Sequence, residues 1–121
     1  MEIWVNPECS KCRAATAALD DAGVAYTVRR YLDDPPTVDE LRDVLDRLGL
    51  EPWHVVRSRE PAADEVGLAS FDRDASSRDR WLEAMVAHPS LIQRPIVTAD
   101  DGTTVLGRDR ESLDRVIDAE A

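Results

Sequence analysis

The first thirty residues leave few folds open. Glu2 to Val5 reads as a short apolar strand, and Asn6-Pro7 breaks it. Lys11 to Ala22 is alanine-rich and helical, with Gly23 as its stop, and Ala25 to Arg29 alternates like a second strand. A crossover helix of roughly 12 residues is long enough to lay its two strands parallel. The loop that joins the first strand to the helix, Pro7-Glu8-Cys9-Ser10-Lys11-Cys12-Arg13, holds both cysteines of the chain.

The middle of the chain is helical. Pro35-Pro36 is a rigid break, and Thr37-Val38-Asp39-Glu40 is a capping box opening a helix with Leu41, Val44, Leu45 and Leu48 at helical spacing, ended by Gly49. Short helices or turns are expected over Glu51 to Val56 and Pro61 to Val66. A polar loop is expected over Asp72 to Asp79, then a helix over Arg80 to Ala87 stopped by His88-Pro89. The period then changes. Arg94 to Thr98 reads as a strand entered through Pro95, Asp100-Asp101-Gly102 as a hairpin turn, Thr103 to Leu106 as the returning strand and Ser112 to Ala119 as a closing amphipathic helix. Trp4, Trp53 and Trp81 show no repeat and are assigned to the core.

The order is βαβ, a helical block, then ββα. This predicts an α/β fold with a thioredoxin/glutaredoxin-like core and a mixed four-stranded sheet. The helical insertion runs from about 37 to 90, and residues 1–121 form a single domain.

The position of the cysteines dictates their chemistry. A strand that turns into a helix sets its first cysteine at the helix N-terminus, where unpaired N–H groups and the helix dipole favour the nucleophilic thiolate. Cys9 is therefore the expected nucleophile. Cys12 lies one turn on, within reach of a disulfide at Cys9. Lys11 and Arg13 add positive charge beside the pair, and Glu8 opposes them. A structural zinc would need two further ligands, and the chain offers only His54 and His88, not in a paired spacing, so no metal is expected. In a thioredoxin-type fold the proline entering the third strand, here Pro95, is commonly cis and faces the cysteine loop. Arg57 and Arg108 fall in loop or strand-end positions, where functional residues concentrate.

The net charge of −10 argues against nucleic acid or an anionic membrane as a partner. No stretch approaches the roughly 18 apolar residues of a membrane helix. The N-terminus has no secretory-signal pattern, so the expected location is cytoplasmic, where an exposed cysteine pair is more often catalytic or redox-sensing than a structural staple. The cations are arginines apart from Lys11. A guanidinium fork suits oxyanions, although general compositional bias explains most of these arginines.

Four segments resemble the glutaredoxin-linked arsenate reductase family of the thioredoxin superfamily. Asn6-Pro7-Glu8-Cys9 is similar to its Asn-Pro-x-Cys loop. Tyr31-Leu32-Asp33-Asp34-Pro35-Pro36-Thr37 is similar to its Tyr-Leu-x-x-Pro-Pro-Thr segment. Val55-Val56-Arg57, followed by Glu65-Val66-Gly67-Leu68, is similar to its arginine-bearing stretch. His88-Pro89-Ser90-Leu91-Ile92-Gln93-Arg94-Pro95-Ile96-Val97 is similar to His-Pro-x-Leu-Ile-x-Arg-Pro-Ile-Val, the most specific of the four. The resemblance implies that Cys9 attacks arsenate while Arg57, Arg94 and Arg108 hold the oxyanion. Arg59 competes with Arg57, because the match there needs a one-residue gap. It also implies a low-molecular-weight thiol, glutathione or mycothiol, as reductant with a glutaredoxin-type protein, and no tightly bound cofactor. Two positions depart from the pattern: Val5 stands where the family carries a histidine, and Cys12 is a second cysteine in the loop, a candidate resolving thiol. Two alternative functions remain. One is a redox-sensing regulator that binds RNA polymerase, a related group with a Cys-x-x-Cys at this place. The other is a general thiol–disulfide carrier.

Overall fold

The computed structural model describes residues 1–120, which divide into two compact units: residues 1–34 with 94–120, and residues 35–93. The second unit is the helical insertion, a few residues longer at each end than the expected 37–90.

The first unit is a four-stranded mixed sheet with two helices. Strand β1 (Glu2–Val5) leads through the cysteine loop into helix α1 (Ser10–Asp21), and β2 (Thr27–Arg30) returns parallel to β1. Strands β3 (Ile96–Thr98) and β4 (Thr104–Leu106) form a hairpin, and α5 (Arg110–Glu120) closes the unit. The sheet order is β2-β1-β3-β4, with β3 antiparallel to both of its neighbours. Alternation along β1 points Ile3 and Val5 to one face, where they form a core with Cys12, Ala15 and Leu19 of α1, Val97 and Val105 of the hairpin, and Leu113 and Val116 of α5. Helix α1 ends as its sequence dictates: Gly23 takes φ 70°, and Val24 N–H closes on the Leu19 carbonyl at 3.1 Å.

Several boundaries differ from expectation for local reasons. Strand β2 starts at Thr27 rather than Ala25, because β1 begins pairing only at Glu2, opposite Thr27. Strand β3 starts at Ile96 rather than Arg94. Pro95 has no N–H to donate, and the carbonyls of Arg94 and Pro95 are taken by Arg108 and Gly107. The Arg94–Pro95 bond is cis. Helix α5 starts at Arg110, two residues before Ser112, because the Asp109 carboxylate accepts from Ser112 N–H at 2.7 Å and caps the helix.

The second unit is built on α2 (Val38–Leu48) and α4 (Arg78–Ala87), with the short α3 (Pro61–Glu65) and several 3₁₀ turns between and after them. The capping box forms: Glu40 N–H donates to Thr37 Oγ1 at 3.1 Å, and Thr37 N–H donates to Glu40 Oε1 at 3.0 Å. Leu41, Val44 and Leu45 of α2 and Trp81, Leu82 and Met85 of α4 are buried. Trp81 stacks edge-on to Phe71 at 5.4 Å, lies 5.9 Å from Trp53, and donates its indole N–H to the Asp72 carbonyl at 2.7 Å. Trp53 itself is only half-buried, short of the core position expected for it. The segment expected to be a polar loop, Asp72 to Asp79, instead turns at Ala75–Ser77, with Asp74 accepting from Ser77 N–H at 3.0 Å, and runs into α4 at Arg78.

Candidate active site

The loop between β1 and α1 is set by Asn6. Its carbonyl accepts from Cys9 N–H at 3.0 Å and its side-chain oxygen from Glu8 N–H at 3.1 Å, an Asx turn that delivers Cys9 to the start of the helix. Cys9 is the N-cap residue of α1, with extended backbone (φ −82°, ψ 123°), and its carbonyl accepts the first helical bond, from Arg13 N–H. No capping hydrogen bond of ordinary geometry closes on its side chain, yet the N–H dipoles of Cys12 and Lys11 face its sulfur. Cys9 is half-buried and Cys12, one turn on in the same helix, is 1% exposed; both are free thiols.

The two thiols are driven apart. Burial alone would push Cys9 up. The backbone N–H of Cys12, the Arg94 guanidinium, the Cys12 thiol and the backbone N–H of Lys11 outweigh it and lower Cys9 from 9.0 to about 7. Cys12 is pushed the other way, to about 11, by burial and by the proximity of Cys9, against the opposing influence of Asn6 N–H and Arg94. Near neutral pH the pair therefore loses its first proton from Cys9, while Cys12 keeps its own.

Arg94 is the cation of this arrangement. Its guanidinium meets Cys9 on one side and the Tyr31 side chain on the other. Its carbonyl accepts from Arg108 Nη1 at 2.6 Å. Tyr31 is fully buried, and sequence reasoning passed over it. Its only signal was membership of the Tyr31–Thr37 segment. Pro95 is buried beside Gly107, where an added Cβ would meet the Pro95, Val97 and Leu113 side chains at 3.2–3.3 Å.

Cys9, Cys12 and Arg94 thus meet in the first unit, Arg108 reaches them through the Arg94 carbonyl, and Pro95 follows Arg94 through the cis bond. Lys11 and Arg13 have exposed side chains. Lys11 acts on Cys9 through its backbone N–H, while its ammonium charge bears on Asp109. Arg57 belongs to the second unit. Its backbone N–H donates to the Leu91 carbonyl at 2.7 Å, beside the Val56–Ile92 bridge, and its guanidinium is ion-paired with Glu60. Arg59 is exposed. Among the described residues no helix is long and apolar enough to cross a membrane.

A half-buried thiolate at a helix N-terminus with a guanidinium against it is equipped to attack an electrophilic oxyanion and to hold its oxygens. The chain is similar over nearly its whole length to arsenate reductases. It is 38% identical to an arsenate reductase of Neisseria meningitidis over 97% of both chains. It is 32% identical to the arsenate reductase of Escherichia coli over 98% of this chain and 82% of the other. A 60% identical relative from Streptomyces viridochromogenes, covered over 93% of this chain and 95% of its own length, is described only as an uncharacterized protein in the glnII region. The solved structure of an arsenate reductase from Vibrio cholerae superposes with a TM-score of 0.75 at 33% identity, over 98% of both chains. The ArsC family pattern itself matches residues 4–116, and the chain belongs to the ArsC family.

Proposed function

We propose that this chain is a thiol-dependent oxidoreductase of the arsenate-reductase type, with Cys9 as its nucleophile. The observation that carries the reading is the Cys9 sulfur, lowered to about 7, with the Arg94 guanidinium against it. At neutral pH the sulfur attacks arsenic and displaces one oxygen as water, giving a Cys9–arsenic adduct. Arg94 is already beside the sulfur that becomes bonded to arsenic, so its fork is placed for the adduct's oxygens. A thiol then attacks the Cys9 sulfur. The S–As bond breaks, its electron pair stays on arsenic, and arsenite leaves.

Arg108 supports this site through the Arg94 carbonyl, holding the backbone of the oxyanion-binding residue. Arg57 enters the reading on the family pattern alone. Its pair with Glu60 is partly exposed, the kind worth about 0–1 kcal/mol, and therefore exchangeable for a substrate oxyanion. The absence of a histidine at Val5 is compatible with a thiolate sustained by Arg94 and the N–H dipoles of α1.

The test is arsenate-dependent consumption of a thiol reductant. Wild type turns over, and Cys9→Ser falls to background, a loss of roughly 10³-fold or more. Equal rates in the two proteins would sink the reading. The regulator reading shares the cysteine pair, and co-purification with RNA polymerase in both oxidised and reduced forms separates it. A general carrier would reduce disulfides while ignoring arsenate.

A further inference from the structure

The cysteine loop carries more than a nucleophile. We infer that Cys12 resolves the Cys9 adduct within the chain, so that each turnover ends in a Cys9–Cys12 disulfide, and that the partner which reopens it is a dithiol protein rather than a monothiol such as glutathione. The inference rests on the proposed arsenate chemistry only for the identity of the first electrophile.

The geometry sets the order of events. Cys9 is the N-cap of α1 and Cys12 sits one turn inside the same helix, with the two sulfurs close enough to influence each other directly. Any group bonded to the Cys9 sulfur therefore has a thiol held beside it, and a thiol held in place outcompetes one arriving from solution. In the first step the Cys9 thiolate displaces one arsenate oxygen, which leaves as water. In the second, Cys12 sulfur attacks Cys9 sulfur. An S–S bond forms, the S–As bond breaks, its electron pair reduces As(V) to As(III), and the Cys12 proton passes to the departing arsenite. The balance is arsenic acid plus two thiols giving arsenous acid, water and one disulfide. No external thiol is consumed up to this point.

Burial then selects the reductant. Cys12 is 1% exposed, whereas Cys9 is half-buried, so an incoming thiolate attacks Cys9 and releases Cys12. The result is a mixed disulfide on Cys9 with Cys12 again beside it. Cys12 can strike back at Cys9 and expel the incoming thiol. A monothiol escapes this reversal only if a second molecule arrives first. A dithiol protein carries its second thiol with it. That thiol attacks its own partner sulfur, forms the partner's disulfide and expels Cys9, the better leaving group of the two cysteines.

Two experiments test this. In the first, the fully reduced chain is mixed with arsenate and no other thiol. Wild type is expected to release arsenite stoichiometrically and lose both titratable thiols, while Cys12→Ser and Cys12→Ala release none until glutathione is added. Arsenite release by either variant equal to wild type without added thiol overturns the inference but leaves the arsenate reading standing. In the second, which needs no arsenate, the reduced chain is titrated with glutathione disulfide. Wild type is expected to close to the Cys9–Cys12 disulfide, and both variants to stop at the Cys9–glutathione adduct. Accumulation of that adduct in wild type to the variants' level overturns the inference even if arsenate is never a substrate. On the oxidised wild type, a thioredoxin-type dithiol protein is expected to restore both thiols at least about tenfold faster than its single-cysteine variant at equal thiol concentration. Equal rates overturn the choice of partner.

Discussion

The two units of this molecule differ in what one arginine does. In the helical unit four guanidinium groups pair with carboxylates. Arg42 bridges Asp39 and, at 3.1 Å, Asp79; Arg78 reaches Asp46 at 2.9 Å and Glu51 at 3.3 Å; Arg47 reaches Asp43 at 3.0 Å; and Arg57 meets Glu60. Two of these tie α2 to α4. In the sheet unit Arg29, Arg30 and Arg110 likewise pair with Asp34, Asp33 and Asp114, but Arg94 is turned onto a thiol and a buried phenol. A chain of net charge −10 offers a carboxylate to almost any arginine. An arginine that meets a sulfur instead is one the fold has reserved, and that difference separates a chemical arginine from a structural one better than exposure does.

The contrast can be tested from the most damaging substitution downward. Trp81→Ala removes the centre of the aromatic group in the helical unit and should cost about 3–5 kcal/mol, read from denaturant unfolding. It should leave the Cys9 thiolate titration of the folded protein in place. A shifted titration would mean that the two units' roles are not separable. Arg94→Ala is expected to do the reverse. Cys9 should move from about 7 up toward 9.0, and kcat/KM for arsenate should fall on the order of 10²–10³-fold, with a smaller change in unfolding.

The pH dependence follows with a definite sign. Cys9 has a lowered folded-state value, so its contribution to stability is present above 9.0 and is lost as pH falls through about 7. Cys12 is raised, so its contribution is present below 9.0 and is lost as pH rises through about 11. Alkylation of the reduced wild type should accordingly rise with a midpoint near 7 and modify Cys9 first, which peptide mapping checks.

Thr37→Ala breaks the capping box and should cost about 1 kcal/mol, again without touching the thiol titration. The mildest change is Glu60→Gln. It should alter stability by less than about 1 kcal/mol and, if Arg57 serves the oxyanion, lower KM for arsenate. An unchanged KM would leave Arg57 among the structural arginines.

Much of this was readable because the signals are local. Thr37 and Glu40 lie three residues apart and make the box their spacing describes. Gly23 and Gly49 end their helices at positive φ, and the period-2 and period-3.6 segments became the strands and helices they announce. Cys9 reached the N-terminus of α1 because Asn6-Pro7 ends a strand and a helix former follows.

What could not be read depends on contacts distant in sequence or on backbone groups that sequence does not display. Tyr31 and Arg94 are far apart in the chain, and nothing in either position names the other. Lys11 and Arg13 drew attention by their charge, yet the help Lys11 gives Cys9 comes from an N–H that any residue there except proline would supply. The early start of α4 was hidden because Asp74, Ser76 and Ser77 look like loop residues, whereas Asp74 caps the 3₁₀ turn at Ala75–Ser77 that runs straight into the helix.

The N-cap position of Cys9 makes the thiol's reactivity a property of the folded chain rather than of the residue. The N–H dipoles that favour its thiolate exist only while the first turn of α1 is wound, and Arg94 is present only while β3 is docked on β1. If that turn frays or the sheet opens, the sulfur reverts to an ordinary thiol, mostly protonated at neutral pH. Unfolding commonly exposes reactive cysteine; here it also removes the groups that activate Cys9.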